Sequence, residues 1–282
     1  MPKVESVRSA IRDGGAPELV RRTRLWLAGQ IYPGTMPAPR KPRRKAAPDP
    51  TQRSARSVDF AHAMAWFEGR RATYERLAAA VAPYVEPNGS FYDVGANIGY
   101  FTKILAETTD FRGSAHLFEP VPNLYGLCAE TLKNVPYDVH VHPFGLGDTD
   151  QELEIFVSNQ GNLGWNTMIA ERATEGMSPV TIQVRTFDSS DVDDVPSLIK
   201  IDVEGAEYLV LRGLLPALTS WTRKPAILCE IGWGREGHPH WEQELEVFDA
   251  LAALGYRTCD LGGEPVDLRE TSKTTDVLFI AD

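Results

Sequence analysis

The sequence has few cysteines and no long apolar run. Its three cysteines, Cys128, Cys229 and Cys259, stand far apart in a chain of 282 residues. This spacing suits neither a disulfide framework nor a zinc site, and it is typical of a reducing compartment. No segment approaches the roughly 18 apolar residues that a membrane-spanning helix needs. We therefore expect a cytoplasmic protein without a membrane span.

What the sequence does have is a glycine turn between a strand and a helix. Residues 90–101 begin as an apolar run, turn at Gly95 and Gly99, and restart with helical spacing. Such a turn places backbone N–H groups against a nucleotide-like ligand. It has neither the G-x-G-x-x-G spacing of dinucleotide sites nor the lysine of a P-loop. Asp93, just before the first glycine, is unfavourable beside a pyrophosphate and favours a ligand with cationic groups.

A second acid follows the next apolar run. This run spans residues 115–118, and Glu119 follows it directly. A carboxylate at that position could accept both hydroxyl groups of a ribose. Two acids, a glycine turn and no phosphate-binding lysine fit S-adenosylmethionine better than NAD or ATP.

Three segments together resemble the FkbM-type S-adenosylmethionine-dependent methyltransferases: DVGANIG at 93–99, FEP at 118–120 and KIDVEGAE at 200–207. Many class I methyltransferases share the first segment, and the third is more specific. The resemblance covers about residues 88–282. It implies a Rossmann-like class I methyltransferase fold with a seven-stranded sheet, and it implies O-methylation.

The resemblance also implies roles for single residues. Those expected at the cofactor are Asp93, Gly95, Asn97, Gly99, Glu119 and Asp148. The first four would hold the methionine end, Glu119 the ribose, and Asp148 would lie near the adenine. Asp202 and Glu230, at the ends of two later strands, would face the transferred methyl group and the acceptor.

A sugar hydroxyl is too weakly acidic to attack unaided, so the site needs a base or a divalent ion. Asp202 and Glu230 could serve as catalytic bases or as oxygen ligands of Mg²⁺. His238, in a glycine-containing segment after the fifth strand, is a further candidate base. Trp165 and Trp233 lie in loops and could stack on a sugar ring.

Strand and helix patterns alternate along most of the chain. This alternation predicts an α/β, doubly wound, mostly parallel sheet. Two stretches at 152–157 and 180–184 alternate in polarity and predict an antiparallel insertion. Apolar residues spaced by three and four predict one helix over 58–82, covering the cofactor or substrate side of the sheet.

The charge is distributed unevenly. Residues 1–57 carry 13 Lys and Arg against 4 Asp and Glu, a net charge of +9, whereas the remainder carries 16 against 35, a net charge of −19. Prolines and like charges predict a basic, partly helical N-terminal extension at 1–57, ahead of a methyltransferase domain at 58–282. The acidic remainder makes a nucleic-acid partner unlikely.

We therefore expect an O-methyltransferase that acts on a hydroxyl group of a sugar or a glycosylated small molecule. Two alternatives stay open. One is RNA methylation, in which the basic segment at residues 40–57 would bind the RNA. The other is a cofactor-binding scaffold without catalysis. The sequence also leaves open whether the chain forms a homo-oligomer.

Overall fold

The structure is a computed structural model that describes residues 59–158, 177–231, 241–271 and 273–281. The predicted extension at 1–57, His238, Trp165 and Trp233 lie outside the described residues, so the proposed domain division stays a prediction. The compact unit that carries the site spans Ala55–Leu214 and Arg223–Asp282. Residues 215–222 fall outside that unit.

The described residues contain ten strands. In chain order they are β1 (Ser90–Val94), β2 (Ser114–Phe118), β3 (Asp138–His142), β4 (Gly145–Leu146), β5 (Gln151–Ser158), β6 (Met177–Arg185), β7 (Leu198–Ile201), β8 (Ala226–Ile231), β9 (Tyr256–Cys259) and β10 (Thr275–Ala281). Seven of them form one sheet in the order β3-β2-β1-β7-β8-β10-β9. All neighbours are parallel except β10, which is antiparallel to β8 and β9. This confirms the predicted α/β, Rossmann-like, doubly wound, mostly parallel sheet.

The described residues also contain six α-helices. They are α1 (Phe60–Glu68), α2 (Arg71–Val81), α3 (Tyr100–Thr109), α4 (Pro122–Thr131), α5 (Glu207–Ser220) and α6 (Trp241–Ala253). The expected single helix over 58–82 is wrong, because α1 ends at Gly69, whose N–H donates to the Ala65 carbonyl. Glycine costs roughly 1 kcal/mol relative to alanine inside a helix. None of these helices is both long and apolar enough to cross a bilayer.

The centre of the sheet explains where the core lies. β1 pairs with β2 on one side and with β7 on the other, and Phe91, Tyr92 and Val94 are fully buried. A strand covered on both faces needs a continuous apolar run, as parallel sheets generally do. Its carboxyl end leads directly into the glycine turn, so the best-packed strand fixes the position of that turn.

The predicted antiparallel insertion forms a small sheet of its own. β4, β6 and β5 pair in that order, and β5 and β6 are antiparallel, with Leu153 opposite Ile182. The alternation of polarity gives this sheet one apolar face.

Candidate functional site

A cavity of about 680 Å³ lies beyond the carboxyl ends of β1, β2, β7 and β8. Cavities of roughly 300–1,000 Å³ hold drug-sized ligands. One side, here called the strand-end wall, is formed by Gly95, Asn97, Glu119, Asp148, Asp202, Glu204 and Glu230. The opposite side, the helical wall, is formed by Trp66, Phe67, Arg70, Tyr74 and Tyr100. The apolar face of the small sheet also contributes, with Leu153, Ile155, Ile182 and Val184.

The structure brings together most of the residues proposed from the sequence. Those that line the cavity are Gly95, Asn97, Glu119, Asp148, Asp202 and Glu230. Asp93 and Gly99 are not part of its lining, and His238 lies outside the described residues. Each of the two exceptions has a physical reason.

Asp93 does not face the cavity, because it is fully buried behind the glycine turn. Its Oδ2 accepts a hydrogen bond from Thr102 Oγ1 at 2.7 Å, and its Oδ1 lies 3.2 Å from Lys200 Nζ. Lys200 Nζ is also 3.3 Å from Asp202 Oδ2 and donates to the Gly95 carbonyl at 3.0 Å. Asp93 therefore acts on the cavity through Lys200 and not by direct contact.

Sequence reasoning missed Lys200 as a site residue, although its signal is visible. It is a lysine inside the apolar strand β7, two residues before an aspartate, and β1 pairs with β7 so that Lys200 stands opposite Asp93. Burial alone would lower the pKa of Lys200, but the charges of Asp202 and Asp93 raise it well above its usual range. Lys200 therefore stays charged and ties the two strand ends together.

The two glycines of the turn are required by the packing of the chain itself. Gly95 has φ +77°, and a Cβ there would lie 1.9 Å from the Asp202 carbonyl oxygen. Gly99 has φ +74°, and a Cβ there would lie 3.0 Å from Cys128 Sγ and Leu132 Cδ1. Only glycine adopts these angles without strain. Gly99 thus allows close packing beneath the turn.

Glu119 joins the turn to the end of β2. It is 4% exposed, and its carboxylate accepts hydrogen bonds from the backbone N–H groups of Asn97 and Val121, each at 2.8 Å. Asn97 has φ +53°, a left-handed conformation that asparagine tolerates better than most residues. Burial raises the pKa of Glu119 to about 7, although the two hydrogen bonds oppose the shift. Each carboxylate oxygen can still accept a second hydrogen bond.

Asp148 is held by helix α5. Arg212 Nε donates to Asp148 Oδ2 at 2.8 Å, and Arg212 NH2 donates to the same oxygen. A Cβ on Gly213 would lie 2.1 Å from the Gly147 carbonyl oxygen, so the helix packs directly against this loop. The pair fixes the Asp148 side chain at the edge of the cavity.

Two acids of the strand-end wall belong to a cluster of three carboxyl groups. One oxygen each from Asp202, Glu207 and Glu230 lies within 4.8 Å of the others. Glu207 accepts hydrogen bonds from the backbone N–H groups of Val203 at 2.9 Å and Gly205 at 3.0 Å. Its oxygens therefore hold the turn after β7 in place, and Asp202 and Glu230 face the cavity.

Burial and nearby acidic side chains raise the pKa values of several carboxyl groups around Asp202. Burial, and then the charge of Asp202, raises the pKa of Glu230 to about 8 and also raises that of Glu204. Glu204 has φ +58°, a conformation that is strained for glutamate. Asp276, which stands opposite Glu230 between β10 and β8, also has a raised pKa because it is buried and lies near Asp202. A cation entering the cavity here would favour the ionised forms.

The stretch at 58–82 was expected to cover the cofactor or substrate side of the sheet, but none of the side chains of the helical wall was predicted as a site residue. Phe67 and Tyr100 stack with ring centroids 5.4 Å apart, and Tyr74 meets Tyr100 edge-on at 5.2 Å. The guanidinium carbon of Arg70 lies 3.5 Å from the centroid of the Trp66 ring. Aromatic residues at helical spacing are more often core than ligand-binding, so the sequence alone gave no signal that distinguished them.

The chain matches the sequence profile of a known protein family. A profile described as the methyltransferase FkbM domain matches residues 93–258, more than half of the chain. The chain belongs to the FkbM methyltransferase family. This FkbM protein therefore has the class I methyltransferase fold that the order of its sheet already indicated.

The matches between this chain and its curated relatives cover only part of the length of each relative. Methyltransferase 1 of Beauveria bassiana is 34% identical over 159 residues, which are 48% of this chain and 61% of that protein. The hexuronic acid methyltransferase AglP of Haloferax volcanii is 29% identical over 136 residues, 48% of this chain and 54% of the relative. A crystal structure of an FkbM methyltransferase from Methylobacillus flagellatus has a TM-score of 0.46 and 19% identity, covering 69% of this chain and 44% of that one.

Proposed function

We propose that this FkbM methyltransferase binds S-adenosylmethionine in the cavity and catalyses O-methylation of a sugar or a glycosylated small molecule. The observation that carries the proposal is the single cavity in which the glycine turn, Glu119 and the carboxyl groups of Asp202 and Glu230 meet. The similarity to a hexuronic acid methyltransferase supports a saccharide acceptor.

The chemistry of the strand-end wall fits this donor. Glu119 is buried and can accept hydrogen bonds from ribose hydroxyl groups in addition to its two backbone donors. Gly95 and Asn97 would lie along the methionine end, and Asp148 along the adenine. Three carboxyl groups, those of Asp202, Glu204 and Glu230, lie together in the cavity lining. Their ionised forms favour a cationic ligand, and the donor carries an ammonium and a sulfonium group.

When bound, S-adenosylmethionine supplies an electrophilic methyl group. The residues would align the acceptor oxygen with the bond to that methyl group and take up the hydroxyl proton. Asp202 is paired with Lys200, so one of its oxygens is already engaged. Glu230 has a pKa of about 8, close to neutrality, and is the better base. The acceptor oxygen would take the methyl group as the bond between that group and the donor sulfur breaks, S-adenosylhomocysteine would leave as the neutral thioether, and the hydroxyl proton would pass to a Glu230 carboxylate oxygen.

A metal-assisted route remains an alternative for the same residues. Asp202 and Glu230 are oxygen donors of the kind that Mg²⁺ prefers. The ammonium group of Lys200, 3.3 Å from Asp202 Oδ2, already compensates charge where the ion would bind, and this favours the base. If the metal route operates, EDTA abolishes turnover and Mg²⁺ restores it. Full turnover in EDTA rejects that route.

The test has two parts. Calorimetric titration measures binding of S-adenosylhomocysteine, and a turnover assay then measures release of S-adenosylhomocysteine from S-adenosylmethionine with each of a panel of sugars as acceptor. We expect binding, and turnover on at least one saccharide. The Glu230→Gln variant should bind S-adenosylhomocysteine as the wild type does and lose turnover. Absence of binding would reject the donor. Binding without turnover on any acceptor would favour the scaffold.

RNA methylation depends on residues 40–57, which lie outside the described residues. It stays a prediction, as do the cytoplasmic location and a homo-oligomeric state. Salt-sensitive binding to RNA that disappears when residues 1–57 are removed would support it.

A further inference from the structure

Arg70 is a cation of the cavity lining without an acidic partner among the described residues. Its NH1 donates to the Trp66 carbonyl at 3.1 Å, and its guanidinium lies over the Trp66 ring. The next residue, Arg71, behaves differently: it pairs with Glu75 at 2.7 Å and with Glu107 at 3.2 Å, and it does not line the cavity.

The other charges of the cavity make Arg70 distinctive. The second cation in the described lining, Lys200, is compensated by Asp93 and Asp202. Acidic side chains in the strand-end wall outnumber these cations. An anionic group that entered the cavity would be repelled along that wall, and Arg70 is where its charge would be balanced.

We propose that Arg70 binds a carboxylate group of a ligand in this cavity. The contact with the Trp66 ring and the hydrogen bond to the Trp66 carbonyl restrict the exposed Arg70 side chain, and its guanidinium carries N–H groups beyond the one bound to that carbonyl. A carboxylate can accept two parallel hydrogen bonds from a guanidinium. Because Trp66 restricts the group before binding, less side-chain entropy is lost when the pair forms.

The inference rests on the proposed function, and two ligands of that function could supply the carboxylate. One is the amino-acid tail of the methyl donor, since Tyr100 of the helical wall directly follows the glycine turn. The other is an acidic sugar acceptor. The chemistry recognised is the same in both cases, and the experiment distinguishes them.

The experiment compares Arg70→Met with the matched control Arg71→Met, which removes the neighbouring charge outside the cavity. Calorimetry measures the dissociation constants of S-adenosylhomocysteine and of its decarboxylated analogue. Turnover assays measure KM for a uronic acid glycoside and for the neutral glycoside of the same sugar. Thermal unfolding checks that both variants are folded.

If the donor supplies the carboxylate, Arg70→Met raises the dissociation constant of S-adenosylhomocysteine by about tenfold or more and leaves that of the decarboxylated analogue unchanged. If the acceptor supplies it, donor binding is unchanged and KM rises only for the uronic acid glycoside. Arg71→Met should change neither the dissociation constant of S-adenosylhomocysteine nor KM for the uronic acid glycoside. Equal behaviour of Arg70→Met and wild type in both assays would overturn the inference. If the wild type fails to bind S-adenosylhomocysteine, it is the proposed function that has failed.

Discussion

The strand-end wall of the cavity is made of carboxyl groups held by backbone hydrogen bonds and by Lys200, whereas the helical wall is made of aromatic rings that pack on one another. Glu119 in this wall, and Glu207 in the carboxyl cluster that adjoins it, each accept hydrogen bonds from two backbone N–H groups. On the other side, Phe67, Tyr74 and Tyr100 make ring contacts of 5.2–5.7 Å.

This difference predicts different tolerances. Removing one partner of a buried carboxylate costs much stability, because the buried group that remains cannot form a replacement hydrogen bond with water. A stacked ring loses contact area, and its neighbours can move to recover part of it. We therefore expect substitutions in the strand-end wall to be severe and those in the helical wall to be graded.

The largest expected effect is on stability, at Lys200. Lys200→Met should lower the free energy of unfolding by about 3–5 kcal/mol, because it leaves Asp93 as an uncompensated buried charge. Urea unfolding measures this. The control Lys103→Met removes a pair with Glu107 on the surface of α3 and should have little effect. The double variant Asp93→Asn with Lys200→Met should recover part of the loss. Equal losses at Lys200 and Lys103 would refute the buried ion pair.

The next effect is on donor binding, at Glu119. Glu119→Gln keeps the size of the side chain but replaces one acceptor oxygen by a donor, so it cannot accept both ribose hydroxyls. We expect the dissociation constant of S-adenosylhomocysteine to rise by about 100-fold, measured by calorimetry on protein shown to be folded by thermal unfolding. Glu130→Gln, at an exposed pair with Lys133, is the control. An unchanged constant would remove the ribose assignment.

The strand-end wall could be predicted from the sequence because its acids follow strands directly. In a parallel sheet the carboxyl ends meet at one edge, so Glu119 and Asp202 could be placed together without knowing any distance. The orientation of Asp93 could not be predicted, because it depends on the register that sets Asp93 opposite Lys200. Register between strands that are distant in sequence leaves no local pattern.

The side of the sheet that the helical wall covers was predicted, but its site side chains could not be, for a different reason. Helical spacing shows that Phe67 and Tyr74 share buried faces, but it does not show what those faces cover. The break at Gly69 separates α1 from α2, and the expectation of one helix over 58–82 missed it. Arg70 follows that break, so its position over Trp66 was hidden as well.

A smaller effect should appear in the pH dependence of stability of the ligand-free protein. The folded pKa of Glu230 is raised to about 8, so the folded state keeps a proton that the unfolded state has lost. Stability from this group is therefore present at low pH and is lost as the pH rises through about 8. Between about pH 7 and 8.5 we expect a loss of about 1–2 kcal/mol.

Urea unfolding at several pH values measures that slope, and the Glu230→Gln variant should make it shallower. Part of the slope should remain, because burial also raises the pKa of Glu204 to about 9 and those of Glu119 and Glu207 to about 7. Burial lowers the pKa values of His116 and His142, so these side chains are already largely neutral above pH 7 in both states and add little. If Glu230→Gln has the same slope as the wild type, the crowded carboxyl group is not its origin.

The smallest effect is expected in the helical wall, at Trp66. Trp66→Leu removes a ring that meets Phe67 at 4.8 Å and carries the Arg70 guanidinium, but the apolar packing of α1 can close around leucine. KM for the acceptor should rise about two- to fivefold with kcat nearly unchanged, because the wall positions ligands and does not exchange protons with them. The control Tyr125→Leu, on α4 and outside the cavity lining, should leave KM unchanged. A loss as large as that of Glu119→Gln would contradict the distinction between the two walls, because aromatic packing would then matter as much as fixed carboxyl groups.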